Sequence, residues 1–316
     1  MKKLIPILIL SLGVLNVVAH VDLNTPTGGE TYKVCETVTI EWQIAISHTL
    51  LNWDLFYSDD GGSTWDTIQI DIPPTGSSVG TIVTYDWVVP DIAGDSVKIW
   101  IYMDNAATDY QDKSGNFTVL ANVNIPDSIF KAQLVADLLI NTNADSIIQY
   151  IEACAYTGAI NVASLGITDL TGIEAFTGIV GLDCSENDLT SLDVTQNIAL
   201  AVLLCDNNQL TSLDVSNNTT LTNLICDSNQ ISALDLSNNS ALQELECENN
   251  LLTALSVSSN TMLTHLHCYD NQITSLDVSS NSALIMLLCD NNQIPILNVS
   301  MSSAMIMLEC AGNQLT

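Results

Sequence analysis

Two neighbouring segments in the second half of the chain contain clustered side chains that could bind a metal ion or a partner. ELECE ends at Glu248 and HLHCY ends at Tyr269, so equivalent positions are 21 residues apart. In both segments polar side chains alternate with a leucine and a cysteine, and a β-strand would project them from one face. Their outward positions are Glu244, Glu246, Glu248, His265, His267 and Tyr269. Carboxylate oxygens and imidazole nitrogens are zinc ligands, whereas clustered charge and aromatic rings suit a binding surface.

These segments allow three interpretations. They can form the solvated polar face of a larger structure, a recognition patch for a protein or a glycan, or a zinc-type site made of His265, His267 and Glu246. The next segment along the chain places Met286 and Leu288 at equivalent positions, and such exposed apolar area favours a binding surface. The predicted partner-binding residues are therefore Glu244, Glu246, Glu248, His265, His267, Tyr269, Met286 and Leu288.

A strict internal repeat positions these segments. Cysteines recur every 21 residues, at Cys184, Cys205, Cys226, Cys247, Cys268, Cys289 and Cys310. An asparagine follows each cysteine by three residues, at Asn187, Asn208, Asn229, Asn250, Asn271, Asn292 and Asn313. Leucine or isoleucine follows two residues later, and a further leucine three residues after that. A period of this length is typical of a solenoid, in which each coil buries its apolar face against its neighbours.

The pattern Leu-x-x-Leu-x-Cys-x-x-Asn-x-Leu-x-x-Leu resembles that of leucine-rich repeats, and the array is similar to bacterial secreted proteins related to the internalins. This resemblance implies short parallel strands on a concave face that binds a protein partner. A first repeat that is one residue longer has its own apolar series, namely Ile167, Leu170, Ile173, Phe176, Ile179 and Leu182. A parallel β-helix is the alternative fold.

The repeated cysteines and asparagines have structural interpretations. Neighbouring cysteines in one inward column would lie at the strand spacing of about 4.8 Å, wider than the mean Cβ separation of about 3.8 Å in a disulfide. The cysteines are therefore expected to be small buried apolar residues. Each asparagine lies where the chain leaves the strand, and its amide can satisfy backbone groups that the turn leaves unpaired.

The region from 20 to 120 is predicted to be an immunoglobulin-like β-sandwich, because alternating β-rich segments are separated by glycine- and proline-rich turns. NTPTGGETY, YSDDGGSTW, YDWVVP and SGNFTV resemble the N-terminal domain of yeast cell-wall synthesis proteins and the Ser/Thr-rich GPI-anchored family. Cys35 departs from that family, which usually has glycine there. SDDGGSTW also matches an Asp-box, which we interpret as a hairpin turn with Gly61 and Gly62 at its tip.

The region from 121 to 160 is predicted to be a helical linker and N-terminal cap, with Asp127 or Ser128 as a helix N-cap. It contains a degenerate EF-hand-like loop in which Asn141, Asn143, Asp145 and Glu152 take ligand positions. Only two of these residues are carboxylates, too few to hold a hard dication tightly. The sequence therefore predicts a capping role for this region and no cofactor, with calcium binding as the weaker alternative.

Residues 1–19 are predicted to be a signal peptide, with two lysines ahead of an apolar core and small residues before Ala19. A membrane anchor is the alternative, but the apolar stretch is short and Pro6 interrupts it. The chain carries 36 acidic and 6 basic residues, and none of its lysines lies beyond Lys131. Nucleic acid and anionic membranes are excluded as partners, because phosphate binding needs basic groups.

The sequence therefore predicts a secreted or cell-surface interaction protein that binds a protein through the concave face of the leucine-rich repeats, which span 161–316. The alternative is a carbohydrate-binding or adhesive accessory region of a larger extracellular polypeptide. No catalytic motif is present, so we predict no enzymatic activity and rank a hydrolase that uses surface carboxylates last. The chain stops partway through a coil, which suggests that the natural protein continues.

Overall fold

The structure is a computed structural model that describes residues 20–47, 49–106 and 108–316. The predicted signal peptide lies outside the described residues. The chain divides into two compact units, one that ends at Leu120 and one from Ala121 to Thr316. No helix among the described residues is both long enough and apolar enough to cross a membrane.

The described part of the first unit is built from strands alone. They are β1 (Val21–Thr25), β2 (Thr31–Lys33), β3 (Thr37–Ile44), β4 (Leu50–Ser58), β5 (Asp66–Ile72), β6 (Ile82–Val88), β7 (Gly94–Asn105), β8 (Tyr110–Lys113) and β9 (Phe117–Leu120). One sheet has the order β1-β3-β6 and the other β2-β9-β7-β4-β5, with β8 paired to β7. The pairs are antiparallel except β2 with β9. The all-β prediction for this unit is confirmed, and the immunoglobulin-like assignment stays a prediction.

Period-two alternation builds the core of this unit. Along β3, Val38, Ile40, Trp42 and Ile44 are buried, whereas the residues between them are more exposed. The Trp42 ring meets the Trp53 ring of β4 edge to face, with centroids 5.6 Å apart. Since β3 and β4 belong to different sheets, this contact lies in the apolar layer between the two sheets.

The Asp-box forms the turn between β4 and β5. The Asp60 carboxylate accepts hydrogen bonds from the Ser63 and Thr64 backbone N–H groups, at 2.8 and 2.9 Å, and from the Thr64 hydroxyl. Gly61 and Gly62 have φ values of 76° and 96°, which residues other than glycine rarely adopt. These contacts agree with the interpretation of the motif as a hairpin turn. Cys35 has a φ of 68°, in the left-handed region that glycine adopts without strain.

The second unit opens with two helices, α1 (Ser128–Ala136) and α2 (Tyr150–Ala155). Asp127 is the N-cap of α1, because its carboxylate accepts hydrogen bonds from the backbone N–H groups of Ile129 and Phe130 at 2.9 and 3.0 Å. The same carboxylate accepts a hydrogen bond from the Thr168 backbone N–H, so it also ties the helix to the first repeat. The predicted helix and its N-cap are therefore confirmed, and the role of this region as the cap of the repeats stays a prediction.

The remainder of the second unit is a solenoid whose strands form one parallel sheet. The strands are β10 (Ala159–Asn161), β11 (Gly181–Asp183), β12 (Val202–Leu204), β13 (Asn223–Ile225), β14 (Glu244–Glu246), β15 (His265–His267), β16 (Met286–Leu288) and β17 (Met307–Glu309). They pair in chain order, and a 3₁₀ turn at Ile173–Ala175 belongs to the first repeat. The register joins equivalent positions, such as Leu245 with Leu266. Stacking therefore aligns each repeat position in a column.

Candidate functional site

The cysteine column lies inside the solenoid. The six cysteines from Cys184 to Cys289 are fully buried, Cys310 is partly exposed, and all seven are free thiols. Burial raises the pKa of the six buried thiols, to about 12 at Cys289 and well above the ordinary value at Cys205 and Cys247. A thiol that stays protonated in an apolar environment is chemically inert. The cysteines therefore pack as small apolar side chains, as the alternating pattern predicts.

This column gives a direct prediction for thiol chemistry. In the native protein, an alkylating reagent is expected to label Cys310 and to leave the six buried cysteines unmodified. Denaturant should make all seven react, because the thiolate forms readily once the thiol reaches water. Peptide mass spectrometry after labelling with and without denaturant measures this difference. Native labelling of Cys226, or a disulfide between adjacent repeats, would contradict the buried free-thiol column.

The predicted asparagine column is buried and makes the same hydrogen bonds in successive repeats. The Asn229 amide nitrogen donates to the carbonyl oxygens of Cys205, Cys226 and Asp227, at 3.0 to 3.2 Å. Its amide oxygen accepts from the backbone N–H of Leu210 at 2.9 Å. One side chain thus joins two coils at the bend that follows the strand, and this contact is structural.

A second asparagine column was not predicted from the sequence. Its members follow each cysteine by thirteen residues, at Asn197, Asn218, Asn239, Asn260 and Asn281, and all are fully buried. The Asn218 amide nitrogen donates to the carbonyl oxygens of Val194 and Asn197, both at 2.9 Å. The amide oxygens of this column accept no hydrogen bond from the described residues. The asparagine repeated at this fixed offset is the sequence signal from which the column could have been predicted. The position differs only in the last coil, where it is Ser302.

The outward face of the repeat sheet brings the predicted binding residues together. The register pairs Glu244 with His265 and Glu246 with His267, and it pairs His265 with Met286 and His267 with Leu288. Glu248 and Tyr269 lie two residues beyond the ends of these strands. We name as the Glu–His patch the six residues Glu244, Glu246, Glu248, His265, His267 and Tyr269. With Met286 and Leu288, the patch occupies three consecutive repeats.

Polar contacts hold the centre of the Glu–His patch. The Nδ1 atom of His267 lies 3.3 Å from Oε1 of Glu246, and its Nε2 lies 3.2 Å from the Met286 sulfur. The Tyr269 hydroxyl donates to Oε1 of Glu248 at 3.2 Å. His265 instead lies with its Nδ1 atom 3.0 Å from the Thr264 hydroxyl oxygen. Among the described residues, Glu246, Glu248 and His267 are the grouping whose potential ligand atoms lie within 4.8 Å of one another. His265, which the predicted zinc-type set included, lies outside this grouping, and Glu248, which that set lacked, lies within it.

Glu248 is the most deeply buried carboxylate of the patch. Only 6% of the residue is exposed, and its Oε2 atom has no hydrogen-bond partner among the described residues. Burial, with a contribution from the charges of Asp227 and Glu246, raises the pKa of Glu248 to about 7. Burial also raises the pKa of Glu246, although the neighbouring His267 opposes this shift. The patch therefore holds negative charge that is poorly compensated.

The raised pKa of Glu248 predicts how stability depends on pH. Its folded pKa of about 7 exceeds the ordinary value of 4.5, so the folded state holds the proton more tightly. The stabilisation is complete below the ordinary value and is lost as pH rises through the folded value. Glu248→Gln should therefore unfold at a higher temperature than the wild type at pH 8, and at nearly the same temperature at pH 5.

Thermal unfolding in the presence of a chelator measures this difference, and Glu244→Gln in the same repeat is the control. The groups that face Glu248, namely Asp227, Glu246, His267 and Tyr269, are present in both the wild type and the Glu248→Gln variant, so the difference isolates one carboxyl. A melting difference between the Glu248→Gln variant and the wild type that does not change with pH would contradict the prediction.

The side chains of the degenerate EF-hand-like loop make hydrogen bonds within the loop and to the two neighbouring helices. Asn141 donates to the carbonyl oxygens of Val135 and Asp145, both at 2.9 Å. The Glu152 carboxylate accepts from the backbone N–H groups of Asn143 and Gln149, as in a helix capping box. The Asp145 carboxylate accepts from the backbone N–H of Ile147. These hydrogen bonds hold the loop together from within, and both its capping role and calcium binding there stay predictions.

Known proteins offer a fold comparison. No protein-family model matches the chain, and no curated protein matches it by sequence. The solved structure of the functional domain of InlJ from Listeria monocytogenes, which includes a cysteine ladder, is 37% identical, with a TM-score of 0.50 over 60% of this chain and 46% of that chain. An internalin, InlF, from Listeria monocytogenes is 22% identical, with a TM-score of 0.42 over 62% of this chain and 73% of that chain.

The present chain therefore spans less than half of the length of the InlJ domain. At this identity, the match supports the fold of the second unit, which is a leucine-rich repeat solenoid with parallel strands and an inner column of cysteines.

Proposed function

We propose that this protein is secreted or displayed at the cell surface and binds a protein partner through the outward face of its repeat sheet, which we infer to be the concave face of the solenoid. One observation carries the proposal. Three consecutive strands, with the two residues that follow each of them, carry clustered charge, an aromatic ring and apolar side chains on one surface, while their inward positions are leucine and cysteine. The core does not require these outward residue types.

The charge of this surface favours a partner with basic residues. Asp206, Asp227, Glu248 and Asp290 occupy the same position after successive strands, and only Tyr269 interrupts this acidic column. The chain has no lysine or arginine beyond Lys131 that could neutralise them. An acidic surface of this kind attracts basic surfaces and speeds their association at low salt.

The apolar part of the surface favours a protein over a glycan. Tyr269, Met286 and Leu288 are each partly exposed beside the carboxylates. Tyrosine and methionine are enriched in protein interfaces, and the mixture of a small apolar centre with a charged rim is typical of such interfaces. The similarity to the InlJ domain and the predicted signal peptide support an extracellular setting.

The experiment is a binding screen of the intact protein against an array of extracellular proteins and, in parallel, against an array of glycans. For a protein hit, Tyr269→Ala and Leu288→Ala should weaken binding by about tenfold or more, as expected for residues at the centre of an interface. Gln230→Ala and Gln272→Ala are matched controls, because these exposed residues lie after the bend and outside the strands. Binding to glycans alone, or equal losses in the control variants, would contradict the proposal.

A further inference from the structure

Three side chains that can each supply a metal-ligand atom lie close together on the outward face of the repeat sheet. Glu246, Glu248 and His267 each offer a ligand atom, and the three atoms lie within 4.8 Å of one another. We propose that these residues bind a divalent transition-metal ion of the zinc type. The inference is independent of the proposed partner binding.

The distances suit an ion of this size. Two ligands that each lie about 2.1 Å from a tetrahedral zinc ion are about 3.4 Å apart. The Nδ1 atom of His267 and Oε1 of Glu246 are 3.3 Å apart, so they already have the spacing of two zinc ligands. The Glu248 carboxylate completes the set after a small side-chain movement, since all three ligand atoms lie within 4.8 Å.

The state of Glu248 is an independent indication of a ligand. This residue is 6% exposed, and its Oε2 atom accepts no hydrogen bond from the described residues. A buried carboxylate oxygen without a partner is costly, because it has lost its hydration and gained nothing in exchange. Its other oxygen accepts a hydrogen bond from the Tyr269 hydroxyl, which fixes the carboxylate as an outer-shell partner fixes a metal ligand.

The local charge also favours a cation. Glu246 and Glu248 lie beside Asp227, and the sequence supplies no lysine or arginine after Lys131. His267 is the only ion-pair partner of the patch among the described residues, and it is positive only when protonated. A dication bound by two carboxylates and a neutral imidazole would compensate both negative charges at once.

The types of the donor atoms select the ion. Calcium and magnesium prefer ligand sets made entirely of oxygen, whereas zinc and its first-row neighbours accept imidazole nitrogen together with carboxylate oxygen. The neighbouring thiols of Cys247 and Cys268 are fully buried, on the inner side of the sheet, so they do not compete for the ion. Three protein ligands leave one tetrahedral position open toward the outward face, where water would occupy it.

The test is zinc binding by the intact protein, purified without metal and titrated with zinc chloride by isothermal calorimetry. The wild type should bind one zinc ion in a saturable step, and cobalt should give the visible absorption bands of a low-symmetry site. His267→Asn and Glu248→Gln should each weaken this step by at least tenfold, since even outer-shell partners cause losses of about tenfold or more. Far-UV circular dichroism establishes that each variant is folded.

Two matched variants serve as controls. His265→Asn and Glu244→Gln change the same residue types on the same strands, but neither residue belongs to the cluster. Both should bind zinc within about twofold of the wild type. The proposal is wrong if the wild type shows no saturable step, if His267→Asn or Glu248→Gln binds as the wild type does, or if the controls lose as much affinity. If either cluster variant fails to fold, Glu246→Gln replaces it in the same comparison.

Discussion

Replacing Asn229 with alanine is expected to destabilise the solenoid by about 3 kcal/mol. The side chain is buried and makes four hydrogen bonds to backbone groups, three as a donor and one as an acceptor. Alanine leaves the backbone N–H of Leu210 without its partner, and an unsatisfied buried donor costs about 1–3 kcal/mol. The loss of the three donated bonds adds to this cost, although the carbonyl oxygens of Cys205 and Cys226 each keep a bond from another asparagine of the column.

Two other asparagines provide graded controls for this experiment. Asn239 donates to the carbonyl oxygens of Val215 and Asn218, but its amide oxygen accepts nothing from the described residues. Asn239→Ala should therefore cost less than Asn229→Ala, because it orphans no backbone donor. Asn238 is exposed and makes a single bond to Ser216, so Asn238→Ala should cost less than about 1 kcal/mol.

Equilibrium unfolding in urea measures all three variants. A loss at Asn229 no larger than the loss at Asn238 would show that the first asparagine column does not hold the coils together. Equal losses at Asn229 and Asn239 would instead show that the orphaned N–H of Leu210 is not the main cost.

The regular part of the fold could be predicted because each repeat faces the same packing problem. A residue that must be apolar in one coil must be apolar in the next, so Leu224, Leu245 and Leu266 mark the inward column in the sequence itself. The inward direction of Cys226 followed from its spacing of two from Leu224. The sandwich strands could be predicted only as a class, because their pairing depends on contacts between distant segments.

The geometry of the Glu–His patch could be predicted only in part. Alternation and register place Glu246 beside His267, because both properties follow from the repeat. The depth of Glu248 does not follow from it, since Asp206 and Asp227 at equivalent positions are more exposed. Glu248 differs from them in having Tyr269 as its neighbour in the next repeat, with a hydroxyl that donates to its carboxylate. The neighbouring Tyr269 thus distinguishes the buried carboxylate of Glu248 from the other carboxylates of the acidic column.

The second large effect is expected at Leu266, which lies between His265 and His267 on β15 but points the opposite way. Leu266 is fully buried and pairs in register with Leu245 and Leu287, which are also fully buried. Leu266→Ala removes buried apolar side-chain area and leaves a cavity in the inward column of leucines. The expected loss is about 3 kcal/mol, within the usual range for leucine in a core.

The neighbouring substitution His265→Ala should change stability by less than about 0.5 kcal/mol, because its side chain is partly exposed and lies outside the core. Hydrogen exchange locates the effect of Leu266→Ala. Since each coil contacts only its neighbours, protection should fall most in β14, β15 and β16 and least in β11. A uniform loss of protection along the sheet would mean that the solenoid unfolds as one unit. A loss of stability at His265 as large as that at Leu266 would contradict the division of this strand into a core side and a binding side.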